Sequence, residues 1–277
     1  RQRTQRVASG YTAKTAPPVC GASAALKIWK FEYLSANISQ STCIPCERNT
    51  MAIKFRTNVR VSTVCGSNLT ISGLKNAIAP DGKMHISAAD GSSTLDIFKS
   101  TCGEVGYGTW DNTQKELVLV VNKDIDAGSL VSFTFNLTNP VSAQECPEVT
   151  LLTHGLNNEA HSVVMGQGSD CAMRVCASDF TTAYAVQKSS IPCDDNVICV
   201  MFALNSTLAV GCSPTLTIIG IPTSTNIDGT SFAARIPEDA FPETFALSTE
   251  VTAKHITVTP QGSLAAHTNF TLCFKVI

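Results

Sequence analysis

The first residues whose type and spacing could do chemistry are the two cysteines of Cys43-Ile44-Pro45-Cys46. A pair at this spacing is a redox-active dithiol in a thioredoxin-like βαβ frame, and it is half of a zinc site when a second pair follows at finger spacing. The sequence offers neither context. A related segment further along the chain, Ile191-Pro192-Cys193, follows Ser190 where Cys43 would stand. These observations favour structural disulfides over redox chemistry or a metal site.

Other candidates for chemistry are weaker. The five histidines are scattered, and no nucleophile elbow, zinc-protease motif, phosphate-binding loop or paired dinucleotide glycines occur. Asp90 and Asp96 could ligate calcium, although an acidic turn between strands is the commoner structure. Trp29 and Trp110 could stack on sugar rings, but packing in a core or an interface is favoured. We therefore expect no catalytic residue, no metal and no cofactor, and the chain is predicted not to be an enzyme.

Cysteines and glycosylation sequons together indicate the compartment. The chain has 12 cysteines, an even number, and five Asn-X-Ser/Thr sequons. The sequon asparagines are Asn37, Asn68, Asn136, Asn205 and Asn269. Together they predict a secreted protein of an oxidising environment that carries N-linked glycans. We expect all five sites to be occupied, with Asn136 and Asn269 on the outward side of their strands.

Composition limits the partners. Charged residues make up 15% of the 277 residues, the net charge is −2, and no basic stripe is present, so nucleic acid is not an expected partner. The longest apolar run, 197–204, is too short to cross a bilayer, so no membrane span is expected. The chain opens at Arg1 without an apolar signal segment, which favours a processed product or a window from a longer chain.

The chain contains an internal repeat. Residues 44–73 align with residues 191–220 at a constant offset of 147, with eleven identities in thirty positions. Residues 127–140 then resemble 266–277 at an offset of 139, so the second copy is 8 residues shorter in its middle. The first copy continues into Cys146–Gly155, where Val149, Leu151 and Thr153 alternate like one more strand. The second copy therefore lacks a last strand, and such a tandem copy is typical of modular or polymeric proteins.

The strand pattern predicts the fold class. Met51, Ile53 and Phe55 alternate with polar residues, and so do Phe133 and Phe135, which is the period of a strand with one buried face. Several further short strands are separated by turn residues, and no segment keeps a helical period. The sequence predicts an all-β chain of two tandem immunoglobulin-like β-sandwich domains. We place an N-terminal extension at 1–30, domain 1 at 31–155, a linker at 156–178 and domain 2 at 179–277.

Alignment of the copies separates shared cysteines from private ones. Cys46 matches Cys193, Cys65 matches Cys212, and Cys20 falls roughly where Cys171 does. Twelve cysteines are disulfide candidates: Cys20, Cys43, Cys46, Cys65, Cys102, Cys146, Cys171, Cys176, Cys193, Cys199, Cys212 and Cys273. Cys199 and Cys273 are private to copy two, and both lie on the outward parity of their strands, so we expect a bridge between them. The remaining pairing stays open, and almost no free thiol is expected.

One strand of copy two has an apolar outward face. Val197, Cys199, Met201 and Ala203 stand where copy one has Thr50, Ala52, Lys54 and Arg56. Such a face is covered either by a loop or domain of the same chain or by another subunit. We therefore name four candidate residues for an assembly interface: Val7, Val197, Met201 and Phe274.

A family resemblance supports assembly. The order of an IPC-N strand, an LTISG strand and a closing FTFxLTNP strand, repeated in tandem with sequons, resembles extracellular filament proteins of aquatic microbial eukaryotes. These glycofibrils are glycosylated filaments of tandem Ig-like domains, and the resemblance covers about residues 33–277. It implies a structural role, head-to-tail assembly and a sugar coat, in a cell-surface appendage or a free fibril. Polymerisation by donated strands is similar to that of bacterial pilins, which differ in their sequons and cysteine density.

Strand counting suggests how copies join. Gly10 stands 23 residues ahead of Tyr33, much as Gly155 stands 25 ahead of Phe180. The N-terminus thus occupies the position of a closing strand without a domain of its own. We expect residues near 1–12 to complete domain 2 of a preceding copy, giving a head-to-tail homopolymer. Two alternatives remain open at this stage: a window cut from a longer tandem chain, and an adhesive or carbohydrate-binding ectodomain.

Overall fold

The structure is a computed structural model. It describes residues 30–89, 95–156, 159–166, 171–191, 196–220, 227–235, 250–252, 255–260 and 262–276. These residues form two β-sandwiches in tandem, so the predicted all-β fold class is confirmed. No helix in these ranges has the length and apolarity that a bilayer crossing requires.

Domain 1 contains eleven strands within the described residues. They are β1 (Tyr33–Gln40), β2 (Arg48–Thr57), β3 (Asn68–Ser72), β4 (Gly82–His85), β5 (Ser87–Ala88), β6 (Phe98–Lys99), β7 (Tyr107–Asp111), β8 (Glu116–Val121), β9 (Val131–Thr138), β10 (Val149–Leu156) and β11 (Glu159–Met165). One sheet has the order β1-β2-β9-β5, and the other has the order β11-β10-β3-β8-β7-β4, with β6 paired to β8. All pairings are antiparallel, as in an immunoglobulin-like sandwich.

The core of domain 1 lies between these sheets. The alternating residues Met51, Ile53 and Phe55 of β2 are fully buried, and so are Phe133 and Phe135 of β9, as the sequence pattern predicts. Their polar neighbours on the same strands face away from the core. All of these buried residues belong to one contiguous apolar cluster, so the described part of domain 1 has a single core.

Within the described residues, domain 2 repeats this plan with fewer strands. Its strands are β12 (Phe180–Gln187), β13 (Asn196–Leu204), β14 (Leu216–Ile219), β15 (Ile227–Arg235), β16 (Glu250–Thr252), β17 (His255–Val258) and β18 (Phe270–Val276). The sheets have the orders β12-β13-β18-β15 and β14-β17-β16. Equivalent strands of the two domains pair in the same register. Leu69 lies opposite Leu119 in domain 1, and Leu216 lies opposite Val258 in domain 2. Leu216 follows Leu69 by 147 residues and Val258 follows Leu119 by 139, which are the two offsets of the repeat.

The segment between the domains contains a strand that the sequence did not predict. Strand β11 lies inside the range assigned to a linker and forms a hairpin with β10, with Val149 opposite Met165. The chain after it packs closely on β1, because a Cβ added at Gly166 would lie 2.7 Å from Ile38 Cγ2. The hairpin therefore covers β1 as well as closing the second sheet of domain 1.

Four disulfides are present among the described residues. They join Cys43 to Cys176, Cys46 to Cys212, Cys146 to Cys171 and Cys199 to Cys273. The last of these is the bridge predicted from the private cysteines of copy two. Four disulfides are typical of an extracellular protein in an oxidising environment.

The cysteines differ from the sequence-based expectation in their free thiols, and the CxxC pair is bonded to distant cysteines. Cys65 and Cys102 are free and exposed, so the expectation of almost no free thiol is wrong for these two. Cys43 and Cys46 are not bonded to each other, and each bonds to a cysteine nearer the C-terminus. The CxxC spacing is thus structural, because one cysteine bonds to Cys176, just before β12, and the other bonds to Cys212, just before β14. Cys20 and Cys193 lie outside the described residues.

Candidate assembly site on the second domain

The main candidate site is the open edge of β14. In domain 1, the equivalent strand β3 lies between β8 and β10 and pairs with both. Within the described residues, β14 pairs with β17 alone. An edge strand presents unpaired backbone N–H and C=O groups and is a template for another strand. The site is therefore suited to strand addition from another segment.

Burial along this edge differs between the domains. Leu69 and Ile71 of β3 are buried, with the β10 residue Leu151 directly opposite Ile71. Their equivalents Leu216 and Ile218 are only half-buried. Ile219, at the end of β14, is 78% exposed. Among the described residues, the apolar residues of β14 thus lack the cover that β10 gives to β3.

A pair of equivalent glycines lies at the edge where β10 pairs with β3 and where β14 has no second partner among the described residues. Gly73 and Gly220 directly follow β3 and β14, and both have positive φ, +81° and +86°. A Cβ added at Gly73 would lie 2.0 Å from the carbonyl oxygen of Glu148, where the chain enters β10. At Gly220 no described atom lies within 4 Å of the corresponding position. Domain 2 therefore keeps the backbone conformation that admits a closing strand, with the place beside it open.

Strand β12 has a similarly uncovered face. Its domain 1 equivalent, β1, is covered by the hairpin, so Ile38 is buried and the ring of Phe31 packs 5.1 Å from that of His161 in β11. Every residue of β12 is exposed, including Phe180 and Tyr184, each at 56%. Exposed aromatic residues along a whole strand are typical of a surface that another chain covers.

The described core of domain 2 is divided. One buried cluster contains Ile256, Val258, Leu272 and Phe274, and a second contains Phe202, Leu204, Leu264 and Phe270. Domain 1 has a single contiguous cluster. In domain 1, Val149 and Leu151 of β10 and Met165 of β11 join the core, and the described residues of domain 2 include no equivalent of these two strands.

The four predicted interface residues have different positions. Val197 and Met201 are half-buried and line an apolar groove of about 620 Å³ that also contains Cys199 and Cys273. Phe274 lies fully buried in the core of domain 2, so its assignment to an interface is wrong. Its side chain is on the inward side of β18 and packs in one cluster with Ile256 and Val258. Val7 and the whole predicted donor segment lie outside the described residues.

Four of the five sequon asparagines are exposed: Asn37, Asn136, Asn205 and Asn269. Asn68 is half-buried in the first position of β3, between His154 of β10 and Val120 of β8. Its Oδ1 atom is buried and has no hydrogen-bond partner in the described part of the chain. Access to the glycosylation machinery is therefore better at the first four sites than at Asn68.

The residues considered for chemistry do not converge in the described structure. Asp96 forms an ion pair with Lys123, whereas Asp90 lies outside the described residues. Trp110 is buried in the core of domain 1, as expected, while Trp29 is not described. The five histidines lie on five different elements or turns: His85, His154, His161, His255 and His267. In the described ranges no group of three His, Cys, Asp or Glu side chains could hold a metal ion.

Sequence reasoning missed the role of a buried asparagine pair. Asn49 Nδ2 donates to Asn139 Oδ1 at 2.7 Å, and Asn139 Nδ2 donates to the carbonyl oxygen of Ile44 at 2.9 Å. Both asparagines are fully buried, so these bonds fix the loop that carries Cys43 and Cys46. The identity of Asn49 with Asn196 in the second copy was the available signal.

Fold and disulfides together define an extracellular protein with two tandem Ig-like domains. No family model and no curated protein sequence matches the chain. Among solved structures, it is similar to the Enterococcus faecalis MSCRAMM ACE, described as binding its ligands by the collagen hug model, at 10% identity and a TM-score of 0.26. The match covers 87% of this chain and 80% of that one. A likeness this weak carries no weight for function.

Proposed function

We propose that the protein is a structural subunit of an extracellular glycosylated filament and has no catalytic role. Copies assemble head to tail, and residues near 1–12 of one copy add a strand to the open edge of β14 in the preceding copy. The observation that carries the proposal is the contrast between β3, paired on both sides, and β14, paired on one side in the described residues.

The internal repeat supplies the geometry of the donated strand. In domain 1, β10 pairs antiparallel with β3, and β11 then returns to cover β1 before the chain enters domain 2. The N-terminal segment precedes β1 as this hairpin precedes β12. A copy that placed its N-terminal segment on the preceding domain 2 would therefore repeat the junction that exists inside each copy. Backbone hydrogen bonds would supply the affinity of the added strand. Because these bonds do not depend on the side chains, the polar side chains of residues 3–6 are compatible with strand addition.

Such an assembly is open. The donating segment and the accepting strand are different surfaces, so the contact is heterologous, and it produces a fibre where the rotation between copies does not close a ring. The exposed sequon asparagines on both domains would place glycans around it. Stability along such a fibre is a sum of domain and nearest-neighbour terms, as in other tandem arrays.

Deletion of residues 1–12 tests strand donation. Negative-stain images of the full chain should show fibres, whereas the truncated protein should remain monomeric. A synthetic peptide of residues 1–12 should then bind the truncated protein and raise the unfolding temperature of domain 2, because binding to the folded state stabilises it. A scrambled peptide of the same composition is the control. Fibres of normal length from the truncated protein would refute strand donation.

The same images separate the alternative of an adhesive or carbohydrate-binding ectodomain. An adhesive ectodomain would stay monodisperse with its N-terminus intact, and the peptide would have no effect on domain 2. Both results together would replace the filament proposal.

A further inference from the structure

The domains within one copy are joined by a disulfide at their junction. Cys46 lies in the loop before β2, and Cys212 ends a 3₁₀ turn, Val210–Cys212, just before β14. Their Cα atoms are 5.4 Å apart. The bond therefore ties the loop at one end of domain 1 to the turn at the facing end of domain 2.

Domain 1 carries the same turn with an unbonded cysteine. Cys65 ends the 3₁₀ turn Thr63–Cys65, and its N–H donates to the Ser62 carbonyl oxygen at 3.3 Å. Cys212 N–H donates to the Ala209 carbonyl oxygen at 3.2 Å in the same way. The residue after each cysteine has left-handed backbone geometry. Cys65 is thus presented like Cys212, but its thiol is free and exposed.

Equivalent residues hold the two turns in place. Asp124 Oδ1 accepts a hydrogen bond from the N–H of Thr63 at 2.7 Å, and Ser263 Oγ accepts one from the N–H of Val210 at 3.2 Å. Asp124 and Ser263 match at the offset of 139 that relates the ends of the two copies. Backbone bridges flank both turns, Val61 with Ile125 and Leu208 with Leu264. The likeness of the turns is therefore fixed by tertiary contacts.

The other half of the bond also has an equivalent. Cys46 matches Cys193, which lies outside the described residues, but the chain leading to each cysteine makes the same turn. Ile44 N–H donates to Thr42 Oγ1 at 3.1 Å, and Ile191 N–H donates to Ser189 Oγ at 3.2 Å. Ile44 is half-buried at the junction of the domains, whereas Ile191 is 70% exposed. The described residues of the domain 2 loop, 189–191, thus repeat the start of the junction loop of domain 1 and are more exposed at Ile191.

We infer that Cys65 forms a disulfide with Cys193 of the partner subunit, so that each junction between copies carries the same bond as the junction within a copy. This inference rests on the proposed head-to-tail assembly, and the occupant of the Cys65 surface is the end of domain 2 of a second copy. The equivalent of the Cys43–Cys176 bond is excluded between copies, because Ser190 stands where Cys43 does and Trp29 stands where Cys176 does.

The surface around Cys65 has room for this contact. Val64 is 92% exposed and matches Gly211, the residue before Cys212. A Cβ added at Gly211 would lie 3.6 Å from the Cys46 carbonyl oxygen, an ordinary van der Waals distance. A side chain at this position therefore meets the facing loop without collision, and Val64 would bury its apolar surface against the partner.

The bond forms by thiol–disulfide exchange with a disulfide oxidant, for which oxidised glutathione serves in the test. The Cys65 thiolate attacks oxidised glutathione, forms a mixed disulfide and releases one glutathione thiol. The partner subunit's Cys193 thiolate then attacks the Cys65 sulfur and releases the second. The two protein thiols together lose two protons and two electrons. One molecule of oxidised glutathione takes up these protons and electrons and becomes two molecules of reduced glutathione.

Isotope mixing tests the link between copies. Unlabelled and ¹⁵N-labelled full chains are mixed, assembled in a glutathione redox buffer, alkylated and cleaved with trypsin and with a protease that cuts before Asp. Cys65 then lies alone in fragment 61–75 and Cys193 alone in fragment 189–193. We expect these two fragments to be disulfide-linked, and half of the linked pairs from an equal mixture to carry one label.

Matched variants complete the test. Cys65→Ser should abolish the covalent multimers seen in non-reducing gels, and Cys102→Ser should keep them, since Cys102 is the other exposed free cysteine among the described residues. Fibres that form while Cys65 is alkylated, or linked to Cys20 or Cys102, would overturn the inference and leave the proposed function standing. Absence of fibres under all conditions would overturn both.

Discussion

Tyr33 of β1 and Thr153 of β10 hydrogen-bond through their hydroxyl groups and so join the first strand of one sheet to the closing strand of the other. The equivalent of Tyr33 in domain 2 is Phe180, which has no hydroxyl and is exposed. The pair therefore marks how the closing strand is fastened in the completed domain.

Alkaline pH should release this contact. Burial raises the pKa of Tyr33 from 10.0 to about 12, an effect that the hydrogen bond with Thr153 only partly offsets. Because the pKa is raised in the folded state, its contribution to stability is complete below pH 10.0 and is lost as the pH rises towards about 12. Absorbance of tyrosinate should show a late component, and Tyr33→Phe should remove it. An unchanged curve for this variant at the alkaline end would contradict the assignment.

The repeat and the alternation of apolar residues were enough to predict the two sandwiches. They placed the buried residues of β2 and β9 correctly because a strand with one buried face has a strict period of two. Strand β11 was missed because Val163, Val164 and Met165 are consecutive apolar residues without that alternation. Its role depends on packing against β1, a contact that no local pattern shows.

The disulfides were only partly predictable for a related reason. Cys199 and Cys273 were assignable because both are absent from copy one, and they prove to be directly opposite each other on β13 and β18. The bonds of Cys43 and Cys46 cross to the other domain. Sequence spacing carries no information on how two domains meet, so these bonds were not assignable.

Native alkylation of the unassembled protein should label Cys65 and Cys102. Both are free and exposed, whereas the eight cysteines of the four disulfides should stay protected. Mass spectrometry of the labelled peptides measures this, with the reduced and unfolded chain as the full-labelling control. A labelled Cys43 or Cys46 would instead reopen the redox interpretation of their spacing.

Glycan occupancy should follow exposure. We expect near-complete N-glycosylation at Asn37, Asn136, Asn205 and Asn269, which are exposed, and lower occupancy at Asn68. Attachment at Asn68 requires its half-buried side chain to be reached before β10 pairs with β3. Intact-glycopeptide mass spectrometry gives the occupancy of each site. Bare asparagine at most of the exposed sites would count against a glycosylated filament.

The private disulfide of domain 2 should stabilise that domain alone. Exchange of the pair for the domain 1 residues, as Cys199→Ala with Cys273→Thr, removes a bridge that spans 74 residues. The expected loss is about 2–4 kcal/mol in the free energy of unfolding of domain 2. Denaturant titration with domain-specific hydrogen exchange measures it, and domain 1 serves as the internal control. An equal loss of protection in both domains would show that they unfold as one unit.

The equivalent glycines give the sharpest test of strand addition. Gly73→Ala should destabilise domain 1 by more than about 3 kcal/mol, because the new Cβ meets both an unfavourable positive φ and the Glu148 carbonyl at 2.0 Å. Gly220→Ala should cost roughly 1–2 kcal/mol in an isolated copy, where only the positive φ opposes it. In a filament the same Cβ would collide with the donated strand, so Gly220→Ala should fold and fail to form fibres.

A third glycine controls for backbone strain in that comparison. Gly82, at the start of β4, has a φ of +96° and no described atom within 4 Å of an added Cβ, but it lies away from β14. Gly82→Ala should therefore lose similar stability to Gly220→Ala and still assemble. Melting temperatures and negative-stain images of the three variants measure both effects. Normal fibres from Gly220→Ala would show that no backbone passes beside this residue in the assembly, and strand addition at β14 would have to be abandoned.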